Sequence, residues 1–562
     1  MLRVVLLLIV LVGLAGFTVP QARPVAQPAA QPAPPTATAA PLQPGGFIQV
    51  RGSELTRLGE VVRLKGANYY PQGKPWSEMW YAWDGPQIAR ELKLGRDTLG
   101  LNAIRILLPY KLEQNSYAAG VATDTVINRL REITQIAGDL DMRLIVTLFD
   151  FYEDFPLPDT REERENIVYL ETLLGNFAGD DRIAIWDLHN EPDHYKLWAK
   201  EKKAQQVLGW LGRMADTVHR LAPNQLVTVG MGQYDNLYQP GPDGRRVVDY
   251  SDVVSIHIYN AADALRQFEE LRTHTAKPIL LEEFGWPTGP RCVVAEYTEA
   301  SQEWVYKTIL AAAEGRVAGV VAWNLRDYHA GPTRRYDTRE EHYGLIRADD
   351  SLKPAAAIFA AFPAAALPSA TKSSLPLSQA KVNQPGTERA PWRDPNSGLY
   401  LKGEIRQAYD QNNGPVSLGR ALSEVFVRPG DGFIIQYFER GVLEINPQRP
   451  RPPDADKRPI EDVVREMVQP QALGLLAANG KAFPEGKREL GGEFRTFYKG
   501  VSGEWRLGAA ISPPFDEVVG GQARRVQYFE RGRLEINPAT GQVEPGTLGL
   551  SAWEQQCRSV GQ

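Results

Sequence analysis

The 562-residue chain has only two cysteines, Cys292 and Cys557. Two cysteines close at most one bridge, so a disulfide framework is excluded and the folded domains must rest on ordinary apolar cores. Excess charge is also missing: 63 Lys and Arg against 68 Asp and Glu leave a net −5. That balance gives no electrostatic reason for nucleic acid or an anionic membrane as partner. Long apolar runs are absent. The one in "MLRVVLLLIVLVGLAGF" extends over about 14 residues, where a membrane span needs about 20. One Arg followed by such a run fits a signal peptide or a short N-terminal anchor over residues 1–22. Either implies a secreted or cell-surface, extracytoplasmic protein. No HExxH, EF-hand loop, P-loop or dinucleotide fingerprint occurs, so neither a metal nor a cofactor is expected.

Two stretches rich in Pro, Ala, Ser and Gln, residues 23–46 and 363–395, are too poor in apolar surface to fold and are expected to be linkers. Between them, residues 47–362 alternate short apolar runs with amphipathic stretches. The runs are "VVRLKGANY", "NAIRILL", "RLIVTLFDF", "IAIWDLHN", "QLVTVGMG", "VVSIHIYN", "PILLEEFG" and "GVVAWNLRD". Eight strands joined by helical crossovers pair in parallel, and the pattern predicts an α/β fold, a (β/α)₈ TIM barrel. The fifth crossover, "QYDNLYQPGPDGRRVVDYSD", has too much Gly, Pro and Asp for a long helix and reads as a loop or stub. Polar residues gather where the runs end: Asn68, Arg105, Asp150, Asn190, Glu191, His257, Tyr259, Glu283 and Trp323. In such a barrel that face carries the active site.

Two of these ends carry paired chemistry. "ILLEEFGWP" (279–287) drives an apolar strand into Glu282 and Glu283, and "IAIWDLHNEPD" (183–193) ends at Asn190, Glu191 and Pro192. Strand alternation turns Glu282 and Glu283 to opposite faces. Two carboxyls across one barrel mouth suit glycoside hydrolysis: one protonates the leaving oxygen, and the other attacks the anomeric carbon at a separation of about 5–5.5 Å or activates water when farther.

The ordered set of Arg105, Asn190-Glu191-Pro192, His257-x-Tyr259, Glu283-Phe284-Gly285 and Trp323 resembles the retaining glycoside hydrolases of clan A, the family 5 cellulase and mannanase type. The resemblance implies Glu191 as acid/base, with a raised pKa, and Glu283 as nucleophile, facing the pocket while Glu282 faces away. It implies that Arg105 keeps the nucleophile ionised, that Asn190 bonds a sugar 2-hydroxyl, that His257 takes the family's strand-six position with Tyr259 bonding the nucleophile, and that Trp323 stacks beneath the sugar. Asn68, Asp150 and Trp286 join them as candidate substrate contacts. The third run departs from the family in ending "TLFDFYED", without a His. Trp76, Trp80 and Trp83 read either as a stacking loop or as a cap on the barrel's outer layer.

Residues 396–562 form a smaller, β-rich module with an internal repeat: "IQYFERGVLEINP" (435–447) returns as "VQYFERGRLEINP" (526–538). Each copy reads as a short hairpin, and the phrases faintly resemble LGFP-type repeats of bacterial envelope proteins. A spacing or stabilising role and contact with polysaccharide or cell envelope both remain open, and the module is expected to fold apart from the barrel. The combined expectation is an exported hydrolase of a β-linked polysaccharide or oligosaccharide, β-mannan or β-glucan in class. An exo-β-glucosidase or transglycosylase, or a non-catalytic polysaccharide-binding barrel, are the alternatives.

Overall fold

Eight of the apolar runs become the strands of one parallel sheet: β1 Leu64–Asn68, β2 Ala103–Pro109, β3 Arg143–Asp150, β4 Ile183–Asn190, β5 Leu226–Gly230, β6 Val254–His257, β7 Ile279–Glu283 and β8 Gly319–Ala322. Their order is β5-β4-β3-β2-β1-β8-β7-β6. A parallel bridge between Met231 and Ile256 joins the two ends into a ring. Runs such as Leu144-Ile145-Val146 are buried on both faces, because one face fills the barrel and the other meets helices. The computed structural model describes residues 46–110, 120–328, 336–368, 377, 392–395, 397–449 and 451–561. The signal-like segment, the linker before residue 46 and most of the second linker lie outside them.

The crossovers are α1 Gly85–Leu99, α2 Asp124–Asp139, α3 Arg161–Leu174, α4 Ala204–Leu221, α5 Val247–Tyr250, α6 Ala264–His274 and α7 Glu299–Ala313, with α8 Pro354–Ala361 after β8. Side chains of Asp84, Thr123, Thr160 and Thr298 cap α1, α2, α3 and α7 by accepting from first-turn N–H groups. The fifth crossover is the short stub its composition predicts. Trp80 and Trp83 are core residues, so of the three tryptophans only Trp76 reaches the barrel mouth. Among the described residues no helix is long and apolar enough to cross a membrane.

The barrel floor is closed by an antiparallel meander, Gln49–Arg51, Glu54–Arg57 and Glu60–Val62, and by the chain after α8. Leu367 is buried there. Arg143 donates to the carbonyls of Leu367 (2.8 Å) and Pro368 (3.1 Å). Residues 363–368, expected to be linker, therefore belong to the underside of the barrel.

The C-terminal repeats form two four-stranded antiparallel sheets. In each, a two-residue Glu-Arg turn joins the duplicated strands, with Phe438 opposite Gly441 and Phe529 opposite Gly532. The copies share a buried glutamine contact. Gln436 and Gln527 donate to the carbonyls of Ser423 and Ser512, each at 2.9 Å. The repeats also exchange helices. Helix Leu473–Ala478, which follows the first copy, lies on the second hairpin, with Leu475 N donating to Glu530 O at 3.0 Å. Helix Leu548–Ser559, which follows the second copy, lies on the first, with Leu550 N donating to Glu439 O at 2.9 Å. A Cβ on Gly474 or Gly549 would strike the carbonyl of Phe529 or Phe438, so only glycine permits this approach.

The expectation of a freely tethered module is not met. Cys292, in the loop after β7, is bonded to Cys557 of the last helix, and Gln556 donates to Cys292 O at 2.9 Å. Cys292 shares an apolar cluster with Phe426, Tyr437, Leu473 and Trp553 of the module. Asp337, in the chain after β8, donates its N–H to Val425 O at 2.5 Å. The disulfide links positions 265 apart, a separation from which sequence alone cannot deduce proximity. Replacing both cysteines by Ala should lower unfolding stability by about 2–4 kcal/mol, measured by denaturant titration of the oxidised proteins. Equal midpoints and slopes for both proteins would contradict this bracing.

Candidate active site

The face of the barrel at the strands' C-terminal ends is organised by Arg105, fully buried on β2. Its Nη1 donates to Asn68 Oδ1 (2.9 Å) and Glu283 Oε1 (2.5 Å), and its Nη2 to Asp187 Oδ2 (2.7 Å) and Asn190 Oδ1 (2.9 Å). A buried guanidinium needs such partners. Burial alone would weaken its proton affinity, but Glu282, Asp187 and Glu283 raise it well above the usual value. Burial likewise pushes Asp187 up, against hydrogen bonds from Thr147 and Arg105.

Glu283 ends β7. Its Oε2 accepts from Tyr259 OH at 2.8 Å, so both carboxylate oxygens are held. Glu191 follows β4 in the left-handed region, φ 45°, a strained conformation for a non-glycine residue. Its backbone N–H donates to Gly230 O at 2.7 Å. His257 Nδ1 meets Glu191 Oε1 and His194 Nδ1 meets Glu191 Oε2, each at 2.8 Å. Glu191, His257 and Glu283 present one polar atom each within 4.8 Å of one another. The spacing is close enough for a cation, but these atoms are already engaged with protein donors and acceptors.

The protonation pattern follows from these contacts. Burial would depress the His257 imidazole, but Glu283, Glu191 and Glu282 outweigh it and push it up to about 10. Burial favours neutral Glu191, yet hydrogen bonds from His194 and His257 hold it below the usual carboxylate range. Glu191 is therefore ionised in the unliganded protein, contrary to the raised acid the resemblance implies. Asp150, at the end of β3, is pushed by burial up to about 7, with Arg105 acting against the shift.

Strand alternation would send Glu282 outward, but the register between β7 and β6 slips after Leu281: Leu281 pairs with Ile256 and Glu283 with His257. The extra residue is Glu282, and a bulge re-aims side chains in this way. Glu282 is fully buried in the barrel interior, 3.5 Å from Arg105 Nε and 3.7 Å from His257 Nε2. Gly230 makes room for it, because a Cβ there would lie 2.8 Å from Glu282 Oε2.

A cavity of about 400 Å³ opens above the two glutamates. Asn190, Glu191, Tyr259 and Glu283 line its base, and Trp76, Trp286 and Trp323 its sides. Trp323 Nε1 donates to Glu340 Oε2 at 3.3 Å. Asn68 and Asp150 lie below the cavity. Asn68 is tied to Arg105 and to the carbonyls of Glu282 and Ala322. The remaining wall comes from residues the sequence reading did not select: Pro287 and Tyr297 after β7, and Arg339, Glu340 and Tyr343 after β8. Those are the two loops bonded to the module through Cys292 and Asp337. His194 was missed as well, although it stands three residues after Glu191 on the short turn Pro192–His194. A second cavity, about 380 Å³, lies on the underside beside Arg272 and Arg316, away from this chemistry.

Residues 62–329 match the family described as Cellulase (glycosyl hydrolase family 5). No curated protein matches. Among solved structures, the chain is similar to an exo-β-1,4-mannosidase from Opitutaceae bacterium strain TAV5, with 21% identity and a TM-score of 0.47 over 57% of this chain and 61% of that one. It is also similar to an endo-1,4-β-mannanase from Rhizomucor miehei, with 17% identity and a TM-score of 0.42 over 56% of this chain and 99% of that one. A GH5_18 protein from Bifidobacterium longum subsp. infantis gives 20% identity and a TM-score of 0.43 over 53% and 78%. The chain thus spans about three-fifths of the mannosidase.

Proposed function

We propose that the chain, whose residues 62–329 match glycosyl hydrolase family 5, is a glycoside hydrolase that cleaves a β-linked glycan of the mannan or glucan class with retention of configuration. The observation that carries this reading is the carboxylate pair, Glu191 and Glu283, with oxygens within 4.8 Å of each other. That spacing leaves no room for a water between acid and base, as inversion requires, and suits direct attack.

In the first step a Glu283 oxygen bonds to the anomeric carbon as the glycosidic C–O bond breaks, and Glu191 gives a proton to the departing oxygen. In the second, Glu191 takes a proton from water, the water oxygen attacks the same carbon, and Glu283 leaves as carboxylate. Arg105 and Tyr259 hold the two oxygens of Glu283 and aim them. Glu191 must first gain the proton it gives. The imidazoles in contact with it are the nearest source. His194 is half exposed, so an incoming glycan covers it and removes water from the ion pair, which favours transfer to the carboxylate. Trp76, Trp286 and Trp323 offer apolar faces for pyranose rings. The mannosidase and mannanase names of similar structures agree with a β-mannan substrate.

The signal-like N-terminus supports an extracytoplasmic location, and one intrachain disulfide suits an oxidising compartment. The repeats' resemblance supports further contact with polysaccharide or cell envelope. The test is a panel of β-mannan, mixed-linkage glucan, carboxymethylcellulose and xylan scored for new reducing ends, followed by proton NMR of early products. One polymer should be hydrolysed with the first product keeping the β configuration. An α-configured first product would overturn double displacement, and no hydrolysis of any β-glycan would overturn the substrate class.

A further inference from the structure

Glu282, buried between Arg105 and His257, is a carboxylate that the reaction above does not use. We propose that Glu282 is a positioning residue, an inward carboxylate that holds His257 protonated on both ring nitrogens and so keeps Glu191 ionised for the second step. The inference rests on the reading of Glu191 and Glu283 as the catalytic pair.

His257 lies between carboxylates on both sides. Nδ1 is 2.8 Å from Glu191 Oε1 and 3.6 Å from Glu283 Oε2, and Nε2 is 3.7 Å from Glu282 Oε2. The last distance is an ion-pair contact, too long for a hydrogen bond. A neutral ring would turn a lone pair toward one of these anions, whereas a ring with two N–H groups satisfies both sides. The other groups facing this space do not remove the need for a cation. From β2 comes Arg105, already shared among Asp187, Glu282 and Glu283. From β4 come Asp187 and, just beyond, Glu191, with His194 on its outer side. From β3 comes Asp150, from the loop after β6 comes Tyr259, and β1, β5 and β8 contribute only uncharged Asn68, Gly230 and Ala322.

The role appears when the two steps are compared. Forming the glycosyl ester removes the charge of Glu283, one of the anions beside His257. Glu282 is buried away from the sugar and takes no part in the ester, so its carboxyl stays beside His257 Nε2 and Arg105 Nε through both steps. His257 then keeps its second proton, and a cation beside Glu191 favours the carboxylate form that must act as base. Removing the Glu282 charge releases the second proton of His257 at lower pH. The pKa of Glu191 in the glycosyl-enzyme then rises, and the base form is lost sooner as pH falls.

The test uses the full chain with Glu282→Gln, which keeps the shape, and Glu282→Asp, which keeps the charge. The first readout needs no substrate: histidine ring ¹⁵N shifts, assigned with His257→Ala, followed from pH 5 to 10. The wild type should show a His257 imidazolium through neutral pH, and Glu282→Gln should lose it about one unit lower or more. The second readout is hydrolysis of 2,4-dinitrophenyl β-mannoside or β-glucoside, whichever the wild type cleaves. In Glu282→Gln, kcat should fall more than kcat/KM with a burst of dinitrophenol, and the acidic limb of kcat should move up by a similar amount. Glu282→Asp should keep the wild-type His257 titration and acidic limb. An unchanged His257 titration, or equal losses in kcat and kcat/KM without a limb shift, would overturn the inference. Should Glu282→Gln not fold, Glu282→Asp with a wild-type limb and titration would support it, and a displaced His257 titration in that charged variant would overturn it. If the wild type gives no burst-competent ester on Glu283 with any donor, the catalytic reading itself fails.

Discussion

Glu283→Gln should lower turnover by at least about three decades, roughly 4 kcal/mol of barrier, with little change in fold. The amide keeps the size of the side chain and can still meet Arg105 and Tyr259, but it lacks the carboxyl oxygen proposed to bond to the anomeric carbon. Glu191→Gln should differ in a diagnostic way. It removes acid assistance, so natural glycans and alkyl glycosides should suffer most, while dinitrophenyl glycosides, whose leaving group needs no proton, should still form the ester and then stall. Steady-state kinetics on both substrate types would show the contrast. Equal losses on both types in Glu191→Gln would remove it from the acid role.

Ending the chain after Pro368 should cost activity even on small soluble glycosides, by about tenfold to hundredfold. Every side chain proposed as catalytic precedes that point, so the loss would come through the loops. Tyr297 and Trp286 flank the Cys292 segment that is bonded to Cys557. Arg339, Glu340 and Tyr343 follow Asp337, whose backbone is bonded to Val425. Asp337 Oδ2 also meets His342 Nε2 at 2.6 Å, which ties the seam to the turn carrying the pocket wall. Loosening both loops frees the wall around Trp323. Far-UV circular dichroism would show that the truncated barrel is folded, and kcat/KM on an aryl glycoside would measure the effect. A folded, truncated chain with full activity on that substrate would show that the module is only an appendage.

Much of this was legible beforehand, for identifiable reasons. A barrel strand buried on both faces is a short apolar run, and eight such runs stand out. The residues at their ends converge because parallel strands share one direction, which brings Arg105, Asn190, Glu191, His257, Tyr259, Glu283 and Trp323 together. Glu282 was misjudged because alternation assumes a regular strand, and a one-residue bulge at Glu282 reverses its face. His194 carried a signal, three residues from Glu191 on a turn, but reads as an ordinary loop residue. Arg339, Glu340, Tyr343 and Tyr297 lie on long loops where no periodicity places a side chain. The helix exchange between repeats and the Cys292–Cys557 bond are long-range pairings, which local pattern does not encode. The duplicated hairpins were legible because the same phrase returns nearly unchanged.

The claim on which the rest depends is that Glu283 becomes covalently bonded to the sugar. Incubating the full chain with a 2-deoxy-2-fluoro β-glycosyl fluoride slows both steps and, with the good leaving group, traps the ester. The sugar is chosen from the hydrolysed polymer. Mass spectrometry of the digested protein should then find one added fluoroglycosyl group on the peptide containing Ile279–Pro287, with fragmentation placing it on Glu283. A label on Glu282, on Glu191, or no label from a donor whose parent glycan is hydrolysed, would contradict the account.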